Sequence, residues 1–209
     1  MPFLQEGGEM HLLRKLKMLC AALAVASCAP IQPRFAEVQV PPERISQKGF
    51  SLMPLNEKGW VIGARNPHLL SLGKVGKNPE ENVVVRAILS KLPAFKTNEE
   101  FVRLIKENQV KGTNPQRLRI IKHEVVTYPK NGTDCAKSHM VAEDHGAGKQ
   151  VGKTGVMIIE ALTLACAHPK QKDTGVSVSY SQRYYPGKSD PGFLEKATSV
   201  LNSVEFADL

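Results

Sequence analysis

The chain has 209 residues, 42% of them apolar and 23% charged, with one Trp and a formal charge of +8. That length buries one core and excludes a multidomain machine, while the composition excludes a disordered tail protein and a small disulfide knot. No second long apolar run follows the N-terminal one, which excludes a polytopic membrane protein.

Residues 10–28 read MHLLRKLKMLCAALAVASC. Arg14, Lys15 and Lys17 are cationic, Met18 to Ala26 are apolar but too short to span a bilayer as a helix, and Val25-Ala26-Ser27 lead into Cys28. This pattern resembles the lipobox of bacterial lipoproteins. The resemblance implies that residues 1–27 are a signal peptide and that Cys28 is diacylated as the mature N-terminus. Glu6 and Glu9 are unusual in such a leader, so translation is expected to start at Met10. Ala29, where Asp would favour the inner membrane, implies an outer-membrane protein facing the periplasm. One acyl chain binds a membrane only marginally, whereas two or three, at about 0.8 kcal/mol per methylene, hold durably.

Cys20 lies in the leader and Cys28 takes the lipid, leaving Cys135 and Cys166. An even pair in an oxidising compartment is most simply one disulfide. The flanking segments, 134–143 and 155–167, read as strands around a Gly-rich stretch. A hairpin centred between Gln150 and Val151 would place Cys135 opposite Cys166. Two buried free thiols or a metal site are the competing readings, although neither Cys stands in a CxxC spacing.

Residues 28–47, with Pro30, Pro33, Pro41 and Pro42, read as a tether, and a single domain is expected over 48–207. GFSLMPL and GWVIGAR read as two short strands joined by a turn, with a third over His68 to Lys74 and a fourth over Val83 to Leu92. Thr97 and Glu100 form a capping box ahead of a helix through Glu107. Arg117 to Tyr128 reads as a long strand, and Lys130-Asn131-Gly132-Thr133 as a hairpin turn. Val156 to Ala165 is apolar on both parities, as a central strand would be. From Gly175 to Arg183, Val176, Val178 and Tyr180 alternate with Ser177, Ser179 and Ser181. Asp190 as N-cap and Pro191 as first residue open a final helix with an apolar stripe from Phe193 to Val204. Strands, helix, hairpins and helix in that order predict an α+β fold, mainly an antiparallel twisted sheet with helices packed on it.

The Gly49-Phe50-Ser51 strand followed by the Trp60 strand looks like the opening of the PsbP-like α/β/α sandwich. Cys166-Ala167-His168-Pro169, the strand over 177–183 and Leu201-Asn202-Ser203-Val204-Glu205-Phe206 resemble its end. The likeness covers 48–206 and implies the fold; an activity does not transfer with it.

Ala147 to Thr154 satisfies a relaxed P-loop pattern, but a β-branched strand follows where a helix is required, so a cationic hairpin tip is expected instead. Asp134, His139, Glu143, Asp144 and His145 bring together residue types suited to zinc or to acid/base work. Strand alternation is taken to send His139 and His145 to opposite faces, against joint ligation. Trp60, Tyr180, Arg183, Tyr184 and Tyr185 are the candidate lining of a ligand groove. No GxSxG or HExxH is present, and no catalytic, metal or cofactor residue is assigned. Without the leader, three basic and two acidic residues fewer, the charge is +7. An exported chain would meet anionic lipid or acidic envelope proteins with that charge, not nucleic acid.

The expectation is a lipid-anchored periplasmic lipoprotein acting as a non-catalytic binding or scaffold module. The alternatives are an envelope hydrolase or metal enzyme using His139, Asp144 and His145, or a small-molecule carrier.

Overall fold

A computed structural model describes residues 35–130, 132–146 and 155–209. Cys28, the leader and the P-loop-like segment 147–154 lie outside the described residues. The strands are β1 (Ala36–Glu37), β2 (Ile45–Gln47), β3 (Phe50–Leu52), β4 (Val61–Asn66), β5 (Leu69–Val75), β6 (Asn82–Lys91), β7 (Leu118–Thr127), β8 (Cys135–Asp144), β9 (Met157–His168), β10 (Gln171–Tyr184) and β11 (Glu205–Phe206). Two helices of at least ten residues are described, α1 (Asn98–Lys111) and α2 (Phe193–Asn202).

Eight strands form an antiparallel sheet in the order β1-β4-β5-β6-β10-β9-β8-β7, and β11, β3 and β2 form a small second sheet. The two helices cover opposite faces of the large sheet. Val176, Val178 and Tyr180 of β10 are 2%, 1% and 2% exposed and face α2, whose Phe193 ring lies 5.5 Å from that of Tyr180. Ser177, Ser179 and Ser181 point the other way, toward the face on which α1 sits. The α+β reading with helices on an antiparallel sheet is therefore correct. β9 follows residues 147–154, so a strand stands where a P-loop requires a helix.

Local chemistry explains the elements. Thr97 Oγ1 accepts the backbone N–H of Glu100 at 3.2 Å, fixing the start of α1 as the capping box predicts. Asp190 is not the N-cap that the sequence predicts: Gly192 takes that position without a side-chain cap, and the helix begins at Phe193, after a turn in which Asp190 Oδ1 accepts the N–H of Gly192. The hairpin after β7 closes through the Lys130–Thr133 bridge, with Gly132 at φ +74°, where a side chain would be strained.

Other parts of the chain also differ from the expectation. Residues 36–47 are not tether, and the compact unit starts at Phe35 rather than 48. β1 pairs with β4 and β2 with β3, and Arg44 donates to the Ser203 carbonyl at 2.7 Å while pairing with Glu205 at 2.9 Å. Strands of two or three residues leave no periodicity to detect, so the prolines dominate the reading. The strands of GFSLMPL and GWVIGAR belong to different sheets instead of one hairpin. The first helix runs on to Lys111, beyond Glu107.

The end of β9 ties the small sheet to the large one. His168, 1% exposed, places Nε2 3.1 Å from the Gly49 carbonyl and 3.0 Å from that of Ala207, and its Nδ1 accepts the Lys170 N–H at 3.3 Å. Nε2 must carry the proton, because both its neighbours are acceptors. Gly49 sits at φ +78° with a Leu209 methyl only 2.8 Å from where a Cβ would be, so this junction requires glycine. Truncating His168 to Ala is expected to cost about 2 kcal/mol, from the cavity and the orphaned carbonyls. Denaturant unfolding measures it.

Candidate functional site

Three groupings emerge from this frame. The first is the β8–β9 ladder, where Cys135 lies directly opposite Cys166 and the two form a disulfide across 31 residues of sequence. Both cysteines are core residues, 1% and 2% exposed. The hairpin register is the one inferred from the Gly-rich stretch.

The second is a polar chain around the start of α2. Glu160 of β9 receives His139 Nε2 at 2.8 Å on one oxygen, and Gln182 Nε2 at 3.0 Å and the Tyr184 hydroxyl at 3.3 Å on the other. Gln182 also donates to Ser189 and accepts the Asp190 N–H. Lys196 then bridges Asp190 at 2.8 Å and Glu57 at 3.3 Å, and Glu57 pairs with Lys74 at 2.8 Å. Bonding to Asp190 first, then Glu57, pushes the Lys196 ammonium up to about 12. The Lys74 bond holds the Glu57 carboxyl below its ordinary value, and the Lys196 bond does the same for Asp190. Burial pushes the Tyr180 phenol up to about 12, so it stays protonated near neutral pH. These groups bond to one another, which makes the chain a fastening between α2, the sheet and the Glu57 loop.

The third grouping is a cleft of about 210 Å³ between α1 and the sheet. Leu92, Phe101, Ile105 and Ala165 give it apolar walls, with Ser90, Lys91, Asn108, Gln109 and Ser177 at its polar positions. It exists because α1 leans toward β7 and β8, and because β10 shifts register between Gln171 and Gly175, where the glycine adds no side chain. Phe101 is 1% exposed and stacks against Phe95 at 4.8 Å between ring centroids. Gln109 fixes the far wall by donating to Ser138 Oγ at 2.8 Å and accepting from His123 Nε2 at 2.7 Å. Burial, with Lys106 nearby, lowers the His123 pKa and favours the neutral ring, which makes this bond as the tautomer with its proton on Nε2. A cavity with an apolar floor and a few convergent amides and hydroxyls suits binding.

The expected groove does not assemble. Trp60 and Tyr180, 1% and 2% exposed with ring centroids 6.3 Å apart, are core under α2. Arg183 is one residue from Tyr184 on β10 and so projects through the opposite face, where it donates to the Glu80 carbonyl at 2.8 Å. Tyr184 joins the Glu160 chain, and Tyr185 follows the end of the strand.

His139, Asp144 and His145 do not converge either. Six residues is an even step, so parity does not part His139 from His145; distance does, because His139 sits mid-strand on Glu160 and His145 lies past the end of β8, 2.9 Å from Glu143. Asp144 is an odd step from His139 and faces the α1 side. Its fully buried carboxylate accepts two bonds from Arg117, at 2.8 and 2.7 Å, with Arg183 at 3.9 Å. Among the described residues no group of three or more His, Cys, Asp or Glu could hold a metal ion. The cleft under α1 escaped sequence reasoning because its walls come from four elements; the β-bulge that opens it has Gly175 as its only local sign.

No family model and no curated protein matches this chain. Among solved structures it is similar to cyanobacterial PsbP (CyanoP) from Synechocystis sp. PCC 6803, with 14% identity and a TM-score of 0.44 over 88% of this chain and 99% of that one. It is also similar to a mutant of the protein Mog1, with 11% identity and a TM-score of 0.40 over 79% and 96%. A third similar structure is a protein from Bacteroides thetaiotaomicron VPI-5482, with 10% identity and a TM-score of 0.33 over 79% and 48%.

Proposed function

We propose that this chain is a non-catalytic binding module of the cell envelope, lipid-anchored through Cys28 at the outer membrane and facing the periplasm, with the cleft beneath α1 as its docking site. The cleft carries the reading: aliphatic and aromatic walls end in amides, hydroxyls and Lys91, an environment that holds an apolar side chain of a partner protein. The disulfide supports an oxidising compartment, and the charge pattern before Cys28 supports export.

Two measurements test it. Mass spectrometry of the protein from membranes is expected to find a mature N-terminus at acylated Cys28; an unprocessed chain in the soluble fraction refutes the address. Ile105→Trp is expected to fill the cleft and abolish recovery of the crosslinked envelope partner from intact cells, with thermal unfolding little changed. Equal recovery with parent and variant refutes the docking site.

A further inference from the structure

The large sheet ends at β7, and among the described residues no strand pairs with its outer edge. This edge is ten residues long, and it carries Ile121 and Val126 at 58% and 56% exposure. A long open edge with exposed aliphatics is a template for another strand; natural sheets blunt such edges with charges, lysine above all, and with bulges, and β7 has one bulge, between Ile120 and Lys122. Here Lys122 does not stand alone. Glu124, two residues on and on the same face, lies 3.1 Å from it.

We propose that a second copy of this chain pairs with β7, antiparallel and centred on His123, joining two eight-stranded sheets edge to edge. Charge complementarity selects this occupant and this register. With the two-fold axis at His123, Lys122 of each copy stands opposite Glu124 of the other, so the two in-strand pairs become a quartet of alternating sign. Moving the axis to Lys122 or to Glu124 sets like charges opposite each other, and parallel addition puts lysine beside lysine. At each end of the quartet Val125 and Val126 of one copy run alongside Ile121 and Ile120 of the other, where the strand bulges, bringing together aliphatics the monomer leaves in water. His123 needs no rearrangement, since its ring points to the α1 side and is held by Gln109.

Sedimentation velocity on the full chain tests this. The parent is expected to show a concentration-dependent dimer that weakens as salt rises toward about 1 M. Lys122→Glu and Glu124→Lys are each expected to raise the dimer dissociation constant by about tenfold or more, and the double exchange to restore it. A parent that stays monomeric or is insensitive to salt overturns the proposal. So do single variants that dimerise as the parent does, or a folded double exchange that remains monomeric.

Discussion

Replacing Cys135 and Cys166 together by Ser lowers the unfolding free energy by roughly 3–4 kcal/mol, the loop-entropy value for a link spanning 31 residues. The loop in question is the β8–β9 hairpin with its long glycine-containing connection, so the unlinked denatured chain gains much freedom. The native state loses something too, because both sulfurs lie in the core against residues such as Leu164 and Val176. Urea unfolding of the parent with and without reductant, beside the double variant, measures the effect. The reduced parent should match the variant once unfolded, whereas the folded parent should resist reduction because both cysteines are buried. A double variant as stable as the parent would show that the hairpin register alone organises β8 and β9.

Arg117→Ala is expected to cost about 3 kcal/mol, the low end of the range for breaking a buried ion pair. Its partner Asp144 has no exposed surface, and after truncation it keeps, among the described residues, the Gly146 N–H at 3.0 Å and Arg183 at 3.9 Å. Asp144→Asn should cost less, because Arg117, 40% exposed, can turn its guanidinium into solvent. The pH dependence follows from the carboxyl. The Arg117 bonds hold Asp144 below its ordinary 3.8, against the opposing effect of burial. A depressed carboxyl stabilises the fold fully above the unfolded value, and that contribution fades as pH falls below 3.8 through the folded value. The gap between parent and Arg117→Ala should therefore be widest near neutral pH and narrow as acid protonates the carboxyl, through and below 3.8. A gap that widens in acid would mean that Asp144 is not the partner that matters.

These two bonds differ in how readable they are. The Cys135–Cys166 pairing follows from one hairpin, and a hairpin register is local arithmetic. The Arg117–Asp144 pair joins residues 27 apart whose meeting depends on the bulge between Ile120 and Lys122, which no composition cue marks. The same contrast runs through the chain. Alternating Val and Ser in β10, the Thr97–Glu100 box and the stripe of α2 each declare themselves within a dozen residues. β1 and β2 do not, since two or three residues carry no period. The groove of Trp60, Tyr180 and Arg183 failed on a point parity itself supplies: Arg183 and Tyr180 are an odd number of residues apart on one strand, so no single surface can show both.

Length, hydrophobic period, capping and turn chemistry were enough to specify an antiparallel sheet with two helices and a linked hairpin, because those signals act between near neighbours in sequence. Which polar side chains meet, where the cleft opens beneath α1, and that β7 is left at an edge were settled by packing. Each of these depends on contacts between elements far apart in the chain, and such contacts leave no mark on the residues taken one stretch at a time.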